Sequence, residues 1–507
     1  MRKILAFMEA AGRCRLPLPE FREMRKGTGM RRLAAIALAA VMAAAAPHAL
    51  AKTSEEDILL WLDGLDIGGP LPEASAVTAA RGEGGEVAPG AADDEGDISD
   101  PAAQNYLGEQ YCFGKGAGKD PGKAEEWFRK AAAQGHAGAQ FHLGYISLFE
   151  RKDYPEAIKW LRKSSDQGYT RAMVSLAVMH AEGLGTPRDY GKALSLLRTA
   201  ADKGDEFAEA VLGSVYYRGL GVQRDYAAAA EWYRKAADKG HAAAEAALGL
   251  MHLTGKGVRQ DFGKALELLK SASERGNSDA EAGLALMYAE GKGVQRDYGK
   301  ALALFQSAAE KGNAGAVYGL GTMHENGLGV RQDYAEALRL YQRAADLGSS
   351  DAEWRLGYMY KTGIGVRQDG AEALKWLRMG AEHGSADAEN SLALMYVAGT
   401  GVPQDYGEAR KWFLKAAEQG NAPAENNLGY MYQEGFGVRK DYGEALRWYT
   451  LSAEQGNPDA EYSLGVMYLN GQGVRKDLAE ALKWLRRAAG HGQKDAAREL
   501  VRITGGR

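Results

Sequence analysis

His180, His252 and His324 stand 72 residues apart, and evenly spaced imidazoles raise the idea of a metal ladder. All three fill the same slot of alternate sequence repeats. Helices pack about 8–10 Å apart, which would hold these rings roughly 20 Å from one another. That is too far to share an ion, so a core or edge role is expected and no metal site is assigned. Seven arginines, Arg224, Arg259, Arg296, Arg331, Arg367, Arg439 and Arg475, precede a recurring Asp or lie within two residues of it. They read as a solvated basic rim. A Glu recurring from Glu209 to Glu461 is too regular to be catalytic and suits charge complementarity at helix N-termini. Neither His-Glu-x-x-His nor Gly-x-Ser-x-Gly occurs, and the recurrent Gly-x-Gly continues into no phosphate-binding signature. The expectation is a protein with no catalytic residues and no cofactor.

The elements that position these residues repeat. Asp153 and Asp189, and then Asp225 through Asp477, follow one another at 36-residue steps, with Asp120 33 residues ahead of the first. Each Asp is expected to open a helix as its N-cap. A Glu three residues on, as in Asp333/Glu336 and Asp477/Glu480, suggests a capping box. A Gly 15 residues after each Asp, from Gly135 to Gly492, suits a left-handed C-terminal cap. Ala at Asp+4, a large residue at Asp+7 and small residues at Asp+11 and Asp+12 mark the expected buried face. Seven of the nine Trp residues share the Asp+7 slot: Trp127, Trp160, Trp232, Trp376, Trp412, Trp448 and Trp484. A sugar platform would use such a row, but its apolar periodicity predicts core. A second helix pattern is centred on Leu107, Leu143, Leu176, Leu212 and onward to Leu464. It carries Ala four residues before the Leu, Gly or Ala one after, and a Gly-x-Gly turn beyond.

The unit, as in "AENNLGYMYQEGFGVRKDYGEALRWYTLSAEQGN", resembles the Sel1-like repeat, a relative of the tetratricopeptide repeat. The resemblance covers about residues 101–507 and recurs eleven times. It implies an all-α fold, an α/α solenoid of helix pairs stacked into a right-handed superhelix. Repeat physics agrees, since one pair cannot bury its apolar face alone and stacked pairs can. "DAARELVRITGGR" is expected to be the capping helix, with Arg498, Glu499 and Arg502 supplying polarity. The family resemblance further implies an adaptor that binds proteins along a concave groove lined by the first helix of each pair. The corresponding slots lie two residues either side of the Leu, four apart and so on one helix side. They hold Phe141, Tyr145, Val174 and Val178 in early copies and small residues in the middle ones, among them Ala210, Ser214, Ala246 and Ala282. Later come Tyr318, Trp354, Tyr358, Asn390, Asn426, Tyr430 and Tyr462. Aromatic and Asn side chains suit an extended peptide or protein partner. The alternatives are plain packing between first helices and, for function, binding or processing of an envelope glycan such as peptidoglycan or exopolysaccharide. Cysteine-rich secreted relatives have been associated with penicillin binding, but this chain lacks their cysteines.

Composition bounds the rest. The 507 residues are 45% hydrophobic and 26% charged, with a net charge of −4, so there is no electrostatic footprint for nucleic acid. From Met30, "MRRLAAIALAAVMAAAAPHALAK" reads as a signal peptide over residues 30–51 with cleavage before Lys52. Residues 1–29 then read as an over-extended start. Residues 52–100 read as a short amphipathic helix around Trp61 and a disordered acidic linker. Cleavage would leave Cys112 as the sole cysteine and a net charge of −10. The expected product is exported, periplasmic or secreted if bacterial, without stable membrane insertion.

Overall fold

The computed structural model describes residues 98–114 and 118–505. The expected start, signal peptide and short helix therefore lie outside the described residues, as does all but the last few residues of the linker. Among the described residues there is helix and turn and no strand. The helices are α1 (Pro101–Phe113), α2 (Pro121–Ala133), α3 (Ala137–Phe149), α4 (Tyr154–Asp166), α5 (Thr170–Glu182), α6 (Tyr190–Asp202), α7 (Glu206–Arg218), α8 (Tyr226–Asp238), α9 (Ala242–Thr254), α10 (Phe262–Glu274) and α11 (Ser278–Glu290). They continue as α12 (Tyr298–Glu310), α13 (Ala314–Asn326), α14 (Tyr334–Asp346), α15 (Ser350–Thr362), α16 (Gly370–Glu382), α17 (Ala386–Ala398), α18 (Tyr406–Glu418), α19 (Ala422–Glu434), α20 (Tyr442–Glu454), α21 (Pro458–Asn470), α22 (Leu478–Gly490) and α23 (Lys494–Thr504). None is long and apolar enough to cross a membrane. Odd-numbered helices up to α21 open a pair and the following even-numbered helix closes it.

The described residues up to Gly283 form one compact unit and those from Leu284 a second. Within each unit a helix packs on its sequence neighbours, and first helices also pack on first helices, as α5 does on α7 and α15 on α17. This is α/α solenoid stacking.

The caps explain the period. Asp405 Oδ1 accepts the N–H groups of Gly407 and Glu408 at 2.8 and 3.0 Å, and equivalent caps recur at Asp333, Asp369, Asp441 and Asp477. The expected capping box does not close. The N–H groups of Asp333 and Asp477 donate instead to the carbonyls of His324 and Tyr468 at 2.9 and 3.0 Å. The Glu three residues on turns outward, Glu336 to Arg339 at 2.6 Å and Glu480 to Lys483 at 3.0 Å. The Asp thus starts one helix with its side chain and ties back to the previous helix with its backbone. At the other end, Gly420 lies at φ 80°. Its N–H reaches Ala417 O at 2.9 Å and the Asn421 N–H reaches Ala416 O at 3.0 Å, a Schellman pairing.

The core is offset by one residue from the expected face. Asp+8, not Asp+7, supplies the fully enclosed large side chain: Phe128, Leu161, Leu269, Phe305, Tyr341, Leu377, Phe413 and Leu485 are at 0% exposure. The Ala at Asp+4 and the Ala or Ser at Asp+11 are buried as well. In the Asp+7 column Trp127, Leu340 and Trp376 are buried, whereas Trp160, Trp232, Trp412, Trp448 and Trp484 are half-buried. These rings lie over the core of the preceding pair, as Trp160 does on the Phe128 cluster and Trp448 on the Phe413 cluster. Several outer faces carry a cation, with Lys235 Nζ 3.9 Å from the Trp232 ring centre and Lys415 Nζ 4.1 Å from that of Trp412. The Trp row therefore joins neighbouring pairs instead of filling one pair's centre. The enclosed Asp+8 residue meets the Gly or Ala one past the first-helix Leu. A Cβ placed on Gly357 would lie 2.6 Å from Leu377 Cγ.

Candidate functional site: the first-helix strip

All seven residues expected to line a groove lie on the first helices α13 to α21. A side chain caps each of α15, α17, α19 and α21, respectively Ser349, Ser385, Asn421 and Asn457. The cap sets the helical phase, so the two slots flanking each Leu recur at one place on every helix.

The structure separates the seven. Tyr318 and Asn426 are buried. Tyr318 packs against Tyr341 with ring centres 5.1 Å apart, and burial pushes its hydroxyl well above the usual phenol range. Neither offers a free surface. Trp354 and Asn390 are half-buried and join successive first helices. Trp354 Nε1 donates to Ser391 Oγ at 3.2 Å, and Asn427 Nδ2 donates to Asn390 Oδ1 at 2.9 Å. Tyr358, Tyr430 and Tyr462 are half-buried. Tyr358 lies 6.1 Å from the Trp354 ring, and the Arg355 guanidinium spans both, 5.8 Å from Trp354 and 5.0 Å from Tyr358. Arg355 is itself held by Glu325, through Nε at 2.9 Å and a second bond from Nη2. Tyr341 Oη donates to the same carboxylate at 2.7 Å. Tyr430 packs beside Phe436, which stacks on Tyr406 at 5.2 Å. Tyr462 packs over the Leu485 cluster. What this arrangement offers chemically is a row of half-open aromatic faces with one positioned guanidinium.

The recurring Glu does something the sequence reading did not find. Glu209, Glu245, Glu353, Glu389, Glu425 and Glu461 are buried and reach across their own pair to the residue that ends the second helix. Glu209 meets Lys239 at 2.6 Å, Glu353 meets His383 at 2.8 Å and Glu461 meets His491 at 2.8 Å. Arg275 takes Glu245. Gln419 and Gln455 donate to Glu389 and Glu425 at 2.8 and 2.7 Å. In two early copies Gln pairs with Gln, Gln134 to Gln104 at 2.9 Å and Gln167 to Gln140 at 2.8 Å. The seventh copy carries Val317 and Leu347 in the two places. The signal was present as a matched pair of columns 30 residues apart. Where the partner is an amide, burial pushes the acid up, Glu389 to about 7 and Glu425 in the same direction.

The remaining candidates are structural in placement. His180 and His252 are buried. His180 Nδ1 is 3.1 Å from Thr186 Oγ1 and His252 Nδ1 is 3.3 Å from Arg259 O. Among the described residues no group of three or more His, Cys, Asp or Glu could hold a metal. The seven rim arginines are exposed, and the Arg224 guanidinium lies 5.5 Å from the Tyr226 ring.

No curated protein matches the chain. Among solved structures, a protective antigen of uropathogenic Escherichia coli strains with an SLR fold is 34% identical over 80% of this chain and 88% of its own, with a TM-score of 0.44. A Sel1 repeat protein from Oxalobacter formigenes is 34% identical over 63% of this chain and 93% of its own, with a TM-score of 0.40. The Sel1 repeat matches residues 101–136, 137–169, 170–205, 207–241, 242–277, 278–313, 314–349, 350–385, 386–421, 422–457 and 458–493. Eleven Sel1 repeats over most of its length make the chain a member of the Sel1 repeat family.

Proposed function

We propose that this protein is an exported, non-enzymatic scaffold whose first-helix strip binds an extended segment of another protein. Sel1 repeats mediate protein interactions, which supports the general reading. The observation that carries the finer one is the cluster of Trp354, Arg355 and Tyr358, half-open and held by Glu325, with Tyr430 and Tyr462 in equivalent slots. Rigid amphipathic aromatics beside a fixed guanidinium are what binding hot spots are made of. Tyr318 and Asn426 are left out of this surface because they are buried. Export rests on the signal-like run before Lys52.

The test places a photo-crosslinking amino acid at Tyr358 or Tyr430, and at exposed Lys375 as a control, in the chain expressed in its own host. The proposal expects one protein crosslinked from both strip positions and not from the control. It also expects the purified partner to bind at least tenfold more weakly to Tyr358→Ala, a loss on the scale of one hot-spot residue. Retention on purified peptidoglycan or acidic polysaccharide, with no protein crosslinked, would replace this reading by glycan binding. Amino-terminal sequencing of the mature protein should begin at Lys52; an intact Met1 would remove export.

A further inference from the structure

Every first helix after α1 is closed on the side of the pair before it. Its Leu, the Ala four residues earlier and the apolar residue three later are buried in all ten copies, from Ala139, Leu143 and Ile146 to Ala460, Leu464 and Met467. The second helix of the preceding pair closes them. Ala208, Leu212 and Val215 of α7, for example, share one cluster with Ala193, Leu197 and Ala200 of α6. In α1 the same three slots hold Ala103, Leu107 and Gln110, and all three are only half-buried. Tyr106 beside them is 49% exposed, and no later first helix has an exposed residue in that slot. The face of α1 that should meet a preceding helix is therefore open.

No second helix precedes α1 among the described residues, but the sequence holds one stretch that fits the place. Residues 55–67, "EEDILLWLDGLDI", put Ile58, Trp61, Leu62 and Leu65 at the spacing of one helical face, with Glu56 and Asp63 on the opposite side. Ser54 with Asp57 three residues on is a helix-start signature. The chain also arrives at the right spot. Gln104 Nε2 of α1 donates to Ile98 O at 2.5 Å, so residue 98 lies against the first turns of α1. Thirty residues, 68–97, separate the stretch from this point. Even a coil of that length spans about 30 Å, against the about 8–10 Å at which helices pack. The other end of the chain supplies the precedent, since α23 lays Ala496, Leu500 and Ile503 over Leu485 and Ala488 of the last pair. A second copy stacked end to end fits less well. The α23 face it would bring carries the ion pairs Arg498 with Asp495 and Arg502 with Glu499, whereas α1 offers mainly apolar slots.

We propose that residues 55–67 are the amino-terminal cap of the solenoid, docked on α1 where a preceding second helix would lie. Ile58, Trp61, Leu62 and Leu65 cover Ala103, Tyr106, Leu107 and Gln110. A terminal unit of a stacked array needs one face for the stack and a polar one for water, and Glu56 and Asp63 make the polar one. The inference goes beyond the binding reading, because the cap acts at the end of the stack whatever occupies the strip.

A photo-crosslinking amino acid at Tyr106 of the full chain tests it. Trypsin releases residues 53–81 as one peptide, because no Lys or Arg stands between Lys52 and Arg81. The proposal expects that peptide on the Tyr106 crosslinker and not on one at exposed Lys192 of α6. A mixture of isotope-labelled and unlabelled chains should show both halves of the crosslink coming from one molecule. Trp61→Asp with Leu62→Asp should lower the yield at least about tenfold and speed hydrogen exchange in α1 by a similar factor, leaving α23 as it was. Both positions lie outside the stacked repeats, and circular dichroism should match the parent. Glu56→Gln, on the polar side, should keep the crosslink and the protection of α1. Absence of the peptide, or a crosslink whose yield survives Trp61→Asp with Leu62→Asp and so reflects the tether alone, would overturn the proposal. So would an equal loss in Glu56→Gln. A crosslink between two molecules would overturn it in favour of end-to-end stacking.

Discussion

At the scale of single residues, position outweighs conspicuousness. Trp412 and Phe413 are neighbours, yet Phe413 is at 0% exposure and Trp412 is half-buried with Lys415 over its ring. Phe413→Ala should cost about 3–5 kcal/mol, the range for emptying an enclosed aromatic site. Trp412→Ala should cost about half of that, because part of the ring already meets water. Urea unfolding of the two variants by circular dichroism checks the order, and a larger loss for Trp412 would reverse the core assignment. The Trp column was legible because one rare residue type recurs. The Asp+8 column was not, because it alternates among Phe, Leu and Tyr and shows itself only through the Gly or Ala opposite. The strip was half legible for a related reason. Slot spacing places Tyr318 and Tyr358 alike, but only the packing of Tyr341 against Tyr318 decides which of them is closed.

At the scale of the element, each pair is held by a start and a cross-tie. Asp441 accepts from Gly443 and Glu444 at 2.8 and 3.1 Å and donates its own N–H to Tyr432 O at 2.9 Å. Asp441→Ala removes the side-chain half and should cost about 1 kcal/mol, measurable by the same unfolding experiment. The cross-tie gives a pH prediction. Glu389, hydrogen-bonded by Gln419 and only partly offset by Lys415, is pushed up to about 7 by burial. Its pair should lose stability as the pH rises from the ordinary Glu range, about 4.3, through about 7. Gln419→Arg supplies the cation that Glu245 has in Arg275. It should lower that acid and remove the loss, as read by exchange protection of α17 and α18 against pH. Helix boundaries and caps were legible because Asp and Gly recur at fixed offsets. The closing of the capping box was not, since nothing in the sequence shows that the Asp N–H is already spoken for by the preceding helix.

At the scale of the whole molecule, the ends carry the exceptions. Helix α23 covers Leu485 and Ala488 with Ala496, Leu500 and Ile503. It turns the paired polar residues Arg498 with Asp495 and Arg502 with Glu499 outward. A chain ending at His491 would expose that cluster and should melt at a lower temperature in differential scanning calorimetry, with added dye binding to exposed apolar surface. An unchanged melt would mean that α23 contributes no stability. The repeat count and the pair architecture were legible because one 36-residue step runs from Asp153 to Asp477, only the second repeat being shorter.

The turn after each first helix also reaches backwards. Gly365 sits at φ 70°, and a Cβ there would come within 2.5 Å of the Cβ of Tyr334, the residue that opens the preceding pair's second helix. The same placement recurs at Gly329 over Tyr298 and Gly437 over Tyr406. In these copies the loop of the following repeat seals the one before it. Leu478, in the same slot of the eleventh repeat, is 54% exposed. A chain that emerges amino end first would leave each of these repeats open until the loop of its successor arrives. That order gives assembly a direction.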